Sequence, residues 1–222
     1  MKIIARIKTN FPTKFGLPRQ SGKSRDIKGK IIFEKEYRNP DALRGLEEFS
    51  HLWIIWEFSK AKRDDWSPTV RPPLLGGNEK KGVFATRSPF RPNPIGLSSV
   101  KIEAIENTEN FGPVIYVSGV DIMDDTPIYD IKPYLPYTDS IQDATGGFTD
   151  NLKPRELEVI FPEEFSSQFT PEQLKELFAA LSMDPRPSYI EDESRVYGFK
   201  FCNSDVKFTV KGKELTVIAI DK

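Results

Sequence analysis

The chain is expected to be mainly β: an antiparallel β-barrel domain over residues 1–138, then a small α+β domain over 139–222. Three observations in its 222 residues predict this. Short apolar stretches alternating at period two recur through the first two-thirds, and no long helical pattern separates them. Helix capping chemistry followed by three strand-like runs appears only beyond residue 139.

Taken in order, the candidate barrel strands are Lys2–Lys8, Lys30–Tyr37, His51–Phe58, Gly82–Thr86, Leu97–Glu106 and Val114–Val120. In the fifth, Ile102 and Ala104 share one face and Lys101 and Glu103 the other, as a half-buried strand requires. A short helix is expected from Pro40, with Asn39 as its N-cap. In the second unit, Thr170-Pro171-Glu172-Gln173 forms a capping box for a helix through Leu174, Leu177, Phe178 and Leu181. Strands are then expected at Arg195–Phe201, Asp205–Lys211 and Glu214–Ile220, the last two joined at Lys211-Gly212-Lys213. The Gly- and Pro-containing stretch Gly146–Pro154 would link the units.

Composition excludes several classes. With 38% hydrophobic and 29% charged residues the chain suits a globular protein. No apolar run approaches the roughly 20 residues that span a bilayer. The opening MKIIARIKTNFP lacks a signal peptide's apolar stretch and cleavage site, so a cytoplasmic location is expected. One cysteine, Cys202, and one histidine, His51, allow neither an internal disulfide nor a Cys/His metal cage. His51 lies among apolar residues in FSHLWIIWEF and is expected to be a buried strand histidine. Cys202 is expected to be a packed thiol. Neither G-x-G-x-x-G nor G-x-x-x-x-G-K-[ST] occurs, which removes the Rossmann turn and the P-loop. Charge is uneven: residues 1–38 hold eleven Lys/Arg and three Asp/Glu, residues 139–193 four and thirteen. Such asymmetry fits an N-terminal surface that meets a polyanion, or simply a solvated face.

Four loops carry unusual chemistry. In Gly82–Ser99, GVFATRSPFRPNPIGLSS, prolines at 89, 92 and 94 stiffen a loop that holds Arg87, Arg91 and Asn93 in set directions. Rigidity of this kind lowers the ordering cost of binding. Gly16–Gly22 and Arg71–Asn78 are further Gly/Pro-bracketed loops. Asp121–Tyr134 gathers acids, a threonine, a lysine and two tyrosines; a structural turn held by Asp side chains is the alternative there.

These stretches resemble the TsaA/YaeB/TrmO family across nearly the whole chain. The likeness rests on PRQ at Pro18–Gln20, RGLEEFSHLW at Arg44–Trp53, TVRPPLLGGN at Thr69–Asn78 and GVFATRSPFRPNPIGLS. It continues in DIMDDTPIYDIKPYLPYTDS at Asp121–Ser140 and in DPRPSY at Asp184–Tyr189 followed by RVYGFKF. The resemblance implies a β-barrel methyltransferase that uses S-adenosylmethionine to methylate N6-threonylcarbamoyladenosine beside the tRNA anticodon. It implies no metal and no membrane, and a homodimer with the donor near the subunit interface. The alternative is a barrel that binds S-adenosylmethionine or RNA without catalysis.

By the same resemblance, Pro18, Arg19, Gln20, Ser59, Lys60, Arg87, Leu97, Asp124, Asp125, Thr126 and Pro127 would surround the donor. Relatives usually have glycine where Asp125 stands and often histidine where Ser59 stands. Asp130, Lys132 and Tyr134 are the catalytic candidates: Asp124 or Asp130 to balance the sulfonium charge, Asp130 or Tyr134 to take the proton. Arg91 or Lys132 would meet the threonyl carboxylate, with Asn93 beside Arg91 as a further substrate contact. Lys14, Lys23, Arg25 and Lys28 would contact phosphates.

Overall fold

The period-two alternation builds eight strands in the first unit: β1 (Ala5–Lys8), β2 (Lys28–Phe33), β3 (His51–Glu57), the two-residue β4 (Thr69–Val70) and β5 (Lys81–Gly82), β6 (Ile95–Thr108), β7 (Gly112–Ser118) and β8 (Thr126–Pro133). The structure, a computed structural model, describes residues 1–61, 65–75, 77, 79–151, 156–186 and 192–222. Gly76, Asn78, part of the 146–154 linker and Pro187–Tyr189 lie outside them.

Six strands close an antiparallel barrel in the order β1-β2-β7-β6-β3-β8. Alternate residues point inward, and Ile7, Ile31, Leu52, Ile54, Ile115 and Ile128 have no exposed surface. At roughly 25 cal/mol per Å2, this apolar filling is the main force holding the barrel closed. Register decides which side chains it hides: on β3, Leu52, Ile54 and Trp56 face in, and His51, Trp53, Ile55 and Glu57 face out.

Several expectations change. His51 is not buried; it lies half-exposed at the start of β3, its Nδ1 2.8 Å from the Ser50 hydroxyl. The strand expected at Gly82–Thr86 is only β5 followed by a tight turn, Val83–Ala85. There Thr86 Oγ1 and Thr86 N–H both return to the Val83 carbonyl, at 2.8 and 3.2 Å, and compete with a ladder. The helix expected at Pro40 is a single 3-10 turn, Pro40–Leu43, capped by Asn39 and soon followed by Gly45 at φ +88°. Conversely β8, unassigned from sequence, completes the barrel, because its prolines fall near its ends, where a missing N–H costs little.

The second unit is a four-stranded sheet, built from β9 (Glu158–Ile160), β10 (Tyr197–Phe201), β11 (Ser204–Lys211) and β12 (Glu214–Asp221), in the order β10-β11-β12-β9. The four-residue α1 (Pro136–Asp139) precedes it, and α2 (Pro171–Ser182) packs on it through Leu177, Ala180 and Leu181. Both halves of the expected capping box form: Gln173 N–H donates to Thr170 Oγ1, and Thr170 N–H to Gln173 Oε1. One apolar core runs through both units, with the Phe11 ring edge-on to Phe201 at 5.1 Å.

Candidate functional site

Antiparallel closure sorts the connections by end. The loops after β1 (9–27), β3 (58–94) and β7 (119–125) all leave from one end of the barrel. The stretches of unusual chemistry fall in these three connections and therefore share one end, although they are far apart in sequence.

Their meeting point is a polar chain. The Trp56 indole N–H donates to Ser98 Oγ at 3.0 Å, and Ser98 donates on to Asp121 Oδ1 at 2.6 Å. The Arg87 guanidinium donates to Gln20 Oε1 at 2.5 Å and draws the Asp121 carboxylate electrostatically. Burial nevertheless raises the Asp121 carboxyl above its ordinary range, against the opposing pull of Ser98, the backbone and Arg87. Gly96 makes room for this chain: a Cβ there would lie 2.2 Å from the Trp56 ring. Ser98 and Asp121 were not singled out from sequence. The available signal was a serine at an inward position of an apolar strand.

Beside it, Asp124 and Asp125 close the third loop onto β1. Lys8 Nζ lies 3.8 Å from Asp124 and 3.0 Å from Asp125, and Arg6 lies 3.5 Å from Asp125. Thr9 N–H donates to Asp124 Oδ1. Asp125 adopts φ +60°, a left-handed backbone that suits glycine and that Asp tolerates better than most residues. The Thr126 hydroxyl is buried and donates to the Met123 carbonyl at 2.8 Å; Pro127 is buried opposite Arg6. Ser59 and Lys60 form the turn after β3, at the same end.

The first loop is anchored from the second unit. Pro18 is buried, whereas Arg19 is exposed and donates to the Arg186 carbonyl at 2.8 Å. Arg186 itself forms a two-pronged, buried ion pair with Asp184. Gly16, at φ +94°, lies flat against Phe199, where a Cβ would meet the ring at 2.4 Å. Glu176 of α2, 3% exposed, accepts from Asn10 Nδ2 at 2.6 Å and from Lys28 N–H at 3.2 Å. Cys202, half-buried between β10 and β11, donates its N–H to the Asn10 carbonyl at 2.7 Å. Burial and the nearby Glu176 push its thiol up to about 11.

Other expected residues stand apart. Arg91 folds back on its own loop and donates to the Thr86 and Ser88 carbonyls at 3.1 and 3.4 Å. Asn93 is exposed, and its carbonyl accepts from Ile95. Leu97 is 55% exposed on the outer face of β6, opposite Ile55, which in turn pairs with Asp130. Asp130 and Lys132 pair at 2.9 Å on that outer face. Tyr134 lies at the far end of β8, against His51 and Trp53.

The convergent groups suit S-adenosylmethionine chemically. Guanidiniums and Lys8 match a carboxylate, while Asp121 and Asp124 match an ammonium or sulfonium. Among the described residues, no group of three or more His, Cys, Asp or Glu is placed to hold a metal, and no helix is long and apolar enough to cross a membrane.

Comparison with known proteins agrees. Residues 6–140 match the model of the tRNA-methyltransferase O N-terminal domain, and residues 154–222 that of the TrmO C-terminal domain. A tRNA (adenine(37)-N6)-methyltransferase of Escherichia coli (strain K12) is 36% identical over 97% of this chain and 94% of its own length. One from Eikenella corrodens is 44% identical over 78% of this chain and 99% of its own. The crystal structure of TrmO from Pseudomonas aeruginosa superposes with a TM-score of 0.78 at 29% identity, covering 99% of this chain and 97% of that one. On the match of both domain models and the near full-length relatives, the chain belongs to the tRNA-methyltransferase O family.

Proposed function

We infer that this protein is an S-adenosylmethionine-dependent tRNA methyltransferase acting on N6 of the adenosine beside the anticodon, and that its substrate is N6-threonylcarbamoyladenosine. The observation that carries the reading is the convergence of three loops on Gln20, Arg87 and Asp121 in a chain of this family. S-adenosylmethionine supplies an electrophilic methyl group when bound. Pro18, Arg19, Gln20, Ser59, Lys60, Arg87 and Asp124–Pro127 would hold it at the loop end of the barrel. Lys14, Lys23, Arg25 and Lys28 are exposed in or beside the first loop, at that same end, and would meet the RNA backbone there.

Leu97, Asp130 and Lys132 lie on the outer face of the barrel, so they serve such a site where that face meets a second copy. We therefore include a homodimer in the reading, supported by Ile95 and Leu97, which are 36% and 55% exposed on neighbouring outward positions. Light scattering should give twice the chain mass; full activity from a monomer would overturn the dimer. The cytoplasm is the compartment that fits a tRNA substrate. The boundary at 138/139 belongs to the same reading; the domain matches, ending at 140 and resuming at 154, support a boundary near there.

The test compares one anticodon stem-loop with and without the threonylcarbamoyl group, at fixed salt because phosphate contacts are salt-dependent. Methyl transfer to the modified RNA alone is expected. Without the carboxylate a cation of the site would lose its partner, which costs more than a neutral contact. Equal rates on both RNAs would assign the cations to the backbone. Donor binding without transfer to either would replace the enzyme by a non-catalytic barrel.

A further inference from the structure

Trp66 and Phe84 are 51% and 69% exposed, yet their rings stack on each other, 6.0 Å apart and 29° from parallel. The Arg91 guanidinium lies 5.9 Å from the Phe84 ring centroid. Two large aromatic faces and a cation thus share one surface of the second loop, where water would ordinarily favour polar side chains.

The platform is preorganised. β4 and β5 pair, and the Val83 N–H continues the ladder by donating to the Pro68 carbonyl at 2.9 Å, which brings the segments carrying the two rings together. Val83 is buried, and its carbonyl takes both bonds from Thr86. Arg91 clamps the following turn through the Thr86 and Ser88 carbonyls. A surface held this firmly loses little entropy when it binds.

Resting on the proposed RNA substrate, we propose that the Trp66–Phe84–Arg91 surface is a stacking platform for an unpaired nucleobase next to the adenosine being methylated. Three facts favour a base over a protein partner. Residues 65–94 carry five Lys/Arg against two Asp/Glu, a balance suited to a polyanion. A guanidinium over an aromatic ring is the arrangement on which splayed bases stack in single-stranded RNA recognition. Phe84 is also close to the site: it lies three positions before Arg87, a Cα span of at most about 11 Å. That is about three stacked base steps.

Steady-state kinetics on the full chain with the modified stem-loop test this. Phe84→Ala should raise KM for the RNA about tenfold or more, with kcat and donor affinity unchanged, and Phe84→Trp should restore it. An RNA made abasic at one nucleotide flanking the target should show the same loss, and combining it with Phe84→Ala should add nothing. An unchanged KM, or fully additive losses at every flanking position, would overturn the platform. So would variants that instead convert a dimer to a monomer in light scattering, since a second copy would then cover the patch. As a second measurement, tryptophan emission of the unaltered protein should be quenched on RNA binding, and the quench should be missing from the conservative variant Trp66→Phe. Absence of quench on bound RNA also overturns the platform, whereas absence of methyl transfer with quench intact overturns only the enzymatic reading.

Discussion

At the scale of single residues, Asp125 shows how local backbone explains an unusual side chain. A left-handed φ of +60° favours glycine, and here an aspartate occupies it while pairing with Lys8 and Arg6. Those pairs are exposed and worth little each, so what they offset is a modest conformational cost. Arg87 is the more decisive residue. From the second loop it reaches the first, through Gln20, and the third, through its attraction for Asp121. Arg87→Ala should weaken S-adenosylmethionine binding by about 1–3 kcal/mol in calorimetry while leaving the melting temperature nearly unchanged, because the side chain is exposed. Equal affinity would remove Arg87 from the donor site. The rigid loop carrying Arg87 was legible in the prolines around it. Asp121 was not, because nothing in the run DIMDDTP distinguishes the carboxylate that turns inward from the two that face β1.

At the scale of elements, α2 is joined to the barrel by a buried carboxylate. Its capping box and apolar face were visible in sequence, but a glutamate in a helix is ordinarily solvated, so Glu176 carried no signal of burial. Only the fold brings Asn10 and the Lys28 N–H to it. Burial raises the Glu176 carboxyl above its ordinary value of 4.5, although Asn10 and Lys28 oppose the shift. A raised acid holds its proton in the folded chain after the unfolded chain has lost it. Its contribution is full below the unfolded value and is lost as pH rises through the folded one. Glu176→Gln removes that titration, so its urea midpoint should fall less steeply than the parent's from about pH 4.5 upward. Parallel curves would contradict the assignment. The strand β8 was missed for a related reason: acids and prolines disguise a segment whose pairing partners, β1 and β3, lie far away in sequence.

At the scale of the whole molecule, the two units share more than a linker. Phe11 from the barrel's first loop is fully buried against Phe201, and Gly16 lies against Phe199. Calorimetry should therefore show one cooperative unfolding transition; two separated transitions would mean that the shared core contributes little. Gly16→Ala should cost several kcal/mol, since the new methyl meets both an aromatic ring and a left-handed backbone. Barrel and second sheet were each legible as patterns of alternation. Their contact was not, because it depends on phenylalanines that periodicity assigns only to a core, without saying whose.

The lone thiol gives the molecule a practical property. With its ionisation pushed up to about 11 and its sulfur half-covered, Cys202 presents almost no thiolate at neutral pH. Maleimide dyes should therefore pass it by, and a cysteine introduced on exposed ground such as Glu109 could carry a single fluorophore with the native chain otherwise intact.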